Sequence, residues 1–265
     1  MVYLYAQGSK SVGMGHLVRT IRLSELCVGA NISHSLVFEL DAYAENWISE
    51  REIEYSTIEV LEGVELDTVV IDAVSIDKYA EQLFSNAKQR VIVSPVFNAF
   101  QIATHVLVRE LSDETRLSLT PSAKVIEDES FSFITSDVKK NRVLEFSSIN
   151  IGICLSGGKQ DFPYDAFFEC IEKIPALASV TLVGEDKFRD VSFFVKVIPF
   201  QKTSISLWEK LSHINLFIGR QGLMVAEALA QSKPVISLRG INEKQKNIAF
   251  IEQEMVKDCE ISTEG

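Results

Sequence analysis

Short apolar runs rich in β-branched residues recur along this chain and set what it can fold into. In the first half they are Val2–Ala6, Ser35–Phe38, Thr68–Ile71, Arg90–Val93 and Thr104–Val108. In the second they are Asn150–Leu155, Val180–Val183, Val195–Ile198, Leu216–Ile218 and Val235–Leu238. Each is apolar throughout rather than alternating, as a parallel strand covered on both faces must be. Segments with helical spacing lie between many of them: His16–Val28, Ile76–Asn86, Ala166–Ile174, Ser206–Leu211 and Val225–Gln231. Repeated strand–helix units predict an α/β chain with parallel sheets and helices on both sides. A polar stretch, Ser112–Phe146, interrupts the pattern once, and a fresh strand starts at Ile149. The expected organisation is therefore two Rossmann-like domains, 1–147 and 148–265.

The length of 265 residues suffices for two such domains. A net charge of −11 argues against broad nucleic-acid or anionic-membrane binding. It leaves room for a small anionic ligand, because backbone amides at a helix terminus hold phosphate without net positive charge. No apolar run approaches the roughly 20 residues of a membrane span. The first residues show no basic segment and cleavage site, so a cytoplasmic protein is expected. Cys27, Cys154, Cys170 and Cys259 form no C-x-x-C pair and each falls in an apolar segment, which predicts reduced, buried thiols. No cluster of His, Cys, Asp and Glu has metal-ligand spacing, and neither a metal nor another cofactor is expected.

Three strand-to-helix turns could carry chemistry. The first, Gly8 to His16, holds Gly13 and Gly15 and ends in a histidine that opens a helix. In an open α/β sheet this turn lies at the carboxyl ends of the strands, where ligands bind. A neutral imidazole there can serve as general base. Arg19 shares its helix face and is a candidate for contacting a phosphate or hydroxyl. The bland alternative is a turn shaped by glycines with a solvated histidine. Asp72, at the end of Thr68–Ile71, could orient a catalytic histidine or bind a sugar hydroxyl. The second turn, Ile218 to Glu227, places Gly222 and the amides of Leu223 and Met224 where a helix N-terminus can hold a diphosphate. Glu227 could accept hydrogen bonds from ribose hydroxyls, or simply complement the helix dipole. The third turn contains Gly157 and Gly158, followed by Asp161 as an expected helix cap. Gly184 ends another strand. Phe200 suits either a nucleobase or the core.

Two blocks resemble a known family. Gly13-Met14-Gly15-His16-Leu17-Val18-Arg19 is similar to the N-terminal loop of the PseG/SpsG-like proteins, the UDP-sugar hydrolases of pseudaminic acid biosynthesis and their spore-coat polysaccharide relatives. Gly222 to Leu229, Lys233 to Ile236, and Asn242 to Ala249 with Gln245, resemble the nucleotide-binding segments of the same group. The resemblance implies the GT-B fold, akin to MurG glycosyltransferases, with two parallel sheets facing a central cleft. It implies a first domain for the sugar or acceptor and a second for the nucleotide. His16 would be the general base that activates water against a UDP-linked modified hexose. Glu227 would hold the ribose, and Gly184 and Phe200 would flank the uracil. The expected partner is thus a UDP-sugar, and the expected activity is hydrolysis in surface-glycan biosynthesis. A GT-B glycosyltransferase, a non-catalytic nucleotide-sugar binder and a UDP-sugar epimerase are the alternatives.

Overall fold

The computed structural model describes residues 1–109, 111–128, 131, 148–155, 164–184, 195–199, 208, 210–220, 223–231, 233–240 and 256–261. The chain divides into two compact units, Met1–Thr135 and Ser136–Gly265. In the first, strands β1 (Val2–Gly8), β2 (His34–Leu40), β3 (Thr68–Asp72), β4 (Gln89–Ile92), β5 (His105–Val108) and β6 (Lys124–Glu127) form one sheet. Its order is β2-β1-β3-β4-β5-β6, with every pair parallel. Helices α1 (Gly15–Gly29), α2 (Ala42–Ser49), α3 (Lys78–Ser85) and α4 (Asp113–Ser118) belong to this unit. The second unit holds β7 (Ile149–Cys154), α5 (Tyr164–Glu172), β8 (Leu177–Gly184), β9 (Val195–Pro199), β10 (Leu216–Arg220), α6 (Leu223–Ala230), β11 (Val235–Gly240) and β12 (Val256–Ile261). Its sheet, also parallel, runs β12-β11-β10-β7-β8-β9.

Both strand orders reverse once. In the first sheet the chain goes from β1 out to β2 and returns to β3 on the other side of β1. In the second it runs β7-β8-β9 and returns to β10 beside β7. Ligands of open α/β sheets bind outside the carboxyl ends of the strands at such reversals. The relevant loops are those after β1 and β3 in one unit and after β7 and β10 in the other.

The cores follow the pleat. Tyr5, Ile71, Val69 and Val37 lie on one face of the first sheet with Phe84 of α3, and the Tyr5 and Phe84 rings meet edge-on at 4.9 Å. On the opposite face Leu4, Ala6 and Phe38 are buried, as are Leu17 and Ile21 of α1. Each such side chain removed from water contributes roughly 2 kcal/mol. In the second unit Ile151, Ile153, Val180, Leu182 and Ile218 form the equivalent cluster, with Phe168 and Ile171 of α5. Among the described residues no helix is long and apolar enough to cross a membrane.

Helices α2, α3 and α4 begin where side chains cap them. Asp41 Oδ1 accepts from the Ala44 amide (2.9 Å), Asp77 Oδ1 from Ala80 (2.8 Å) and Ser112 Oγ from Thr115 (3.3 Å). Helix α1 is different, with Met14 at its cap position, no capping side chain and no acid in its first turn. Gly8, the last residue of β1, lets α1 lie close. A Cβ built there would stand 2.2 Å from Leu17 Cδ1. Gly8→Val should therefore overpack this junction and cost about 1–3 kcal/mol, read as a lower denaturation midpoint with an unchanged slope.

Several expectations need correction. The polar stretch from Ser112 contains α4 and β6, and α2 and β12 also went unread. Of the expected helix Ser206–Leu211, only Trp208, Lys210 and Leu211 are described, and none of them is α-helical. Cys27 and Cys154 are buried as expected, but Cys170 is exposed. It sits on the outer face of α5, where helical spacing turns it away from Phe168 and Ile171. The Cys259 side chain and Asp161 lie outside the described residues.

Candidate functional site

The first turn is tied down by its own backbone and by Asp41. The Gly13 amide donates to Ser9 O (2.8 Å), and the Val12 amide to Ser9 Oγ (2.9 Å). The Lys10 amide donates to Asp41 Oδ2 at 2.9 Å. Gly13 takes a φ of 88°, which a side chain resists. Gly15 has no such requirement. A Cβ there would meet only Arg19 Nη1, at 3.9 Å. The turn thus delivers His16 at the second position of α1, and Arg19 three residues on.

Strand pairing brings Asp72 to the same place. Ala6 pairs with Asp72 in the β1–β3 register, so both side chains share the pleat face that α1 covers. The Asp72 carboxylate is fully buried. Its Oδ1 lies 2.6 Å from His16 Nδ1 and 2.6 Å from Arg19 Nη2, and its Oδ2 accepts from Arg19 Nε at 2.8 Å. Arg19 therefore grips the carboxylate with two donors, the geometry that suits a guanidinium best. Only 12% of the His16 side chain and 15% of the Arg19 side chain are exposed.

Burial alone would push the Asp72 carboxyl upward. The Arg19 charge, then the His16 charge and the hydrogen bonds from both, outweigh it and hold the group down at about 2. Asp72 is therefore an ionised, acceptor-only group. That fixes the histidine tautomer, because Nδ1 at 2.6 Å must carry the proton it donates. Arg19 Nη2 also approaches Nδ1, to 2.9 Å, but both are donors there, so the approach reflects the shared Oδ1 rather than another bond. In the neutral ring Nε2 then carries the lone pair, the arrangement of a carboxylate-oriented general base.

The same numbers predict a pH effect. A carboxyl lowered from 3.8 to about 2 contributes stability above its unfolded value, and that stability is lost as pH falls through the folded value. The loss should be roughly 2–3 kcal/mol between about pH 4 and pH 2. Urea unfolding of wild type and Asp72→Asn across that range measures it, since the variant lacks this part of the slope.

Asp72 reaches no solvent, and both of its oxygens are engaged. It is therefore placed against the imidazole and offers no exposed oxygen to a sugar hydroxyl. Arg19 likewise spends its Nε and Nη2 on Asp72 rather than on a phosphate. The loop after β3 is held by a residue that sequence reasoning missed. Asn98 Oδ1 accepts from the Ile76 amide and Asn98 Nδ2 donates to Ile76 O, both at 3.0 Å, while the Asn98 amide donates to Val74 O at 3.1 Å. An asparagine in a loop after a strand was the available signal.

In the second unit, α6 starts at Leu223, so the Leu223 and Met224 amides are at a helix N-terminus as expected. Gly184 ends β8 and pairs with Pro199 of β9. Glu227 is buried, at 4% exposure, and its Oε2 accepts from the Trp208 indole at 2.9 Å. Gly157, Gly158, Phe200, Gly222 and Gln245 lie outside the described residues. Among the described residues no group of three or more His, Cys, Asp or Glu is placed to hold a metal ion.

No known family's sequence model matches the chain, and no curated protein matches it in sequence. Solved structures do match over nearly its whole length. MurG of Acinetobacter baumannii is 12% identical, with a TM-score of 0.55 over 98% of this chain and 85% of that one. The lipopolysaccharide outer core galactosyltransferase WaaB is 10% identical, with a TM-score of 0.55 over 100% and 87%. An alpha-glucosyltransferase solved with UDP and a 13-mer DNA is 11% identical, with a TM-score of 0.54 over 90% and 80%. At these identities the likeness speaks to architecture, and with the two parallel sheets described above it shows that the chain has the GT-B fold.

Proposed function

We propose that this chain is a GT-B glycosyltransferase using a nucleotide-sugar donor, in which His16 removes the proton from the incoming hydroxyl. One observation carries the reading: the His16 imidazole is held by the buried, ionised Asp72 at 2.6 Å, beside the strand-order reversal of the first sheet. A base so held takes the acceptor proton on Nε2 as the acceptor oxygen attacks the anomeric carbon. The bond from that carbon to the diphosphate breaks, and the nucleoside diphosphate leaves. The departing diphosphate carries the negative charge away, and backbone amides at a helix N-terminus are the group type that receives it. The solved neighbours include a galactosyltransferase and an alpha-glucosyltransferase bound to UDP, which supports a nucleotide-sugar donor.

Hydrolysis of a UDP-linked modified hexose is the second reading, favoured by the run Gly13 to Arg19 that resembles such hydrolases. The same base would then activate water. Product analysis with a UDP-sugar labelled in the sugar separates the two. Label on an added acceptor is transfer, label in free hexose without acceptor is hydrolysis, and label in neither for any donor tested contradicts both. Glu227→Ala should weaken UDP binding about tenfold while leaving the chemical step of bound donor within a fewfold, read by calorimetry and single-turnover kinetics. Unchanged UDP affinity would remove Glu227 from the nucleotide site.

A further inference from the structure

The Arg19 guanidinium is spent on Asp72, and this has a consequence for the base that rests on the reading of His16 above. A fully buried carboxylate needs a cation. With Arg19 bound through Nε and Nη2, the pair is neutral and His16 need supply only a neutral N–H donor. Without Arg19, Asp72 would draw its counter-charge from His16, and the imidazole would be held as imidazolium, with no lone pair on Nε2.

We propose that Arg19 is a positioning residue that balances the charge of Asp72 so that His16 stays available as a neutral base, rather than a residue that contacts substrate. Among the described residues, the charged and titratable groups on the elements packed around His16 include these. From α1 itself come Arg19 and the buried Arg22. From β3 comes Asp72, whereas the strand-face residues of β1, Leu4 and Ala6, carry no charge. From β2 comes His34, which lies beside Val2 at the far end of the sheet and meets Ser24 Oγ at 2.6 Å. Lys10 lies in the turn before α1. Asp41 holds the same turn through the Lys10 amide, and among the described residues Asp72 is the acid that bonds the imidazole itself.

The test is the titration of the His16 imidazole by nuclear magnetic resonance in the free, full-length protein. The chain has 4 histidines, and His16→Gln identifies the relevant signal. In Arg19→Gln, which keeps polarity but removes the charge, the midpoint should rise by about one unit or more. In Arg19→Lys, which keeps the charge, it should stay near the wild-type value. If Arg19→Gln does not fold, Asp72→Asn supplies the second reading, and its midpoint should fall below that of wild type. An unchanged midpoint in Arg19→Gln, or in Asp72→Asn, overturns the proposal. No substrate is needed, so a failure here concerns Arg19 alone, whereas absence of turnover in wild type concerns the proposed activity. Where turnover is measured, the acidic limb of kcat/KM in Arg19→Gln should move upward with the imidazole, with KM little changed. A raised KM at every pH and an unmoved limb would instead make Arg19 a substrate ligand.

Discussion

His16→Ala should reduce turnover of the donor by about 10²–10⁴, the usual worth of a positioned general base, while nucleotide affinity stays within about twofold. The separation follows from placement. His16 sits at the strand-order reversal of the first sheet, bonded to Asp72, where it is proposed to take the acceptor's proton rather than to hold the nucleotide. The fold should survive, because the imidazole is a partner of Asp72 but Arg19 retains its two bonds to that carboxylate. Steady-state kinetics with nucleotide titration checks this. Equal loss of turnover and of nucleotide affinity would mean that His16 binds the donor instead.

Asp72→Asn should cost turnover about 10²–10⁴ as well, for a different reason. The amide can present its NH₂ group to Nδ1 and so favour the tautomer with hydrogen on Nε2, which removes the lone pair that does the work. It also strands the Arg19 guanidinium, 85% buried at the side chain by its 15% exposure, without a counter-charge. The variant should thus be both slow and less stable near neutral pH, by a few kcal/mol. The kinetic effect should fall on kcat, since Asp72 has no exposed surface with which to touch substrate. A variant with normal kcat and raised KM would place Asp72 at the sugar.

How much of this was legible in the sequence depends on burial. The β1, β3, β7 and β8 segments read as strands because both faces are covered and their apolar residues are continuous. β6 did not, because three of its four residues, Lys124, Ile126 and Glu127, are exposed at the sheet edge and break the apolar run. The sequence of β12, Val-Lys-Asp-Cys-Glu-Ile, is interrupted in the same way at the other sheet's edge. Helix α4 carried a readable start, Ser112 followed by Asp113 and Glu114, hidden by the assumption that the whole polar stretch was a connection. His16 and Asp72 were each visible as residues at strand or helix ends. That they meet depends on β3 lying beside β1 rather than beyond β2, and a hydrophobic pattern contains no strand order. For the same reason the Arg19–Asp72 pair could not be foreseen. The two lie 53 positions apart, and only the sheet register brings them together. Gly8 was visible as part of a glycine-bearing turn, but its reason, the approach of Leu17, required α1 in place.

The most direct test of the central claim is release of UDP from a panel of UDP-sugars, followed in parallel for wild type and His16→Ala, with and without hydroxyl acceptors. The account predicts release by wild type from at least one donor, slowed by about 10² or more in the variant at saturating donor. Release at equal rates by both proteins, or no UDP binding and no release by either, would contradict it.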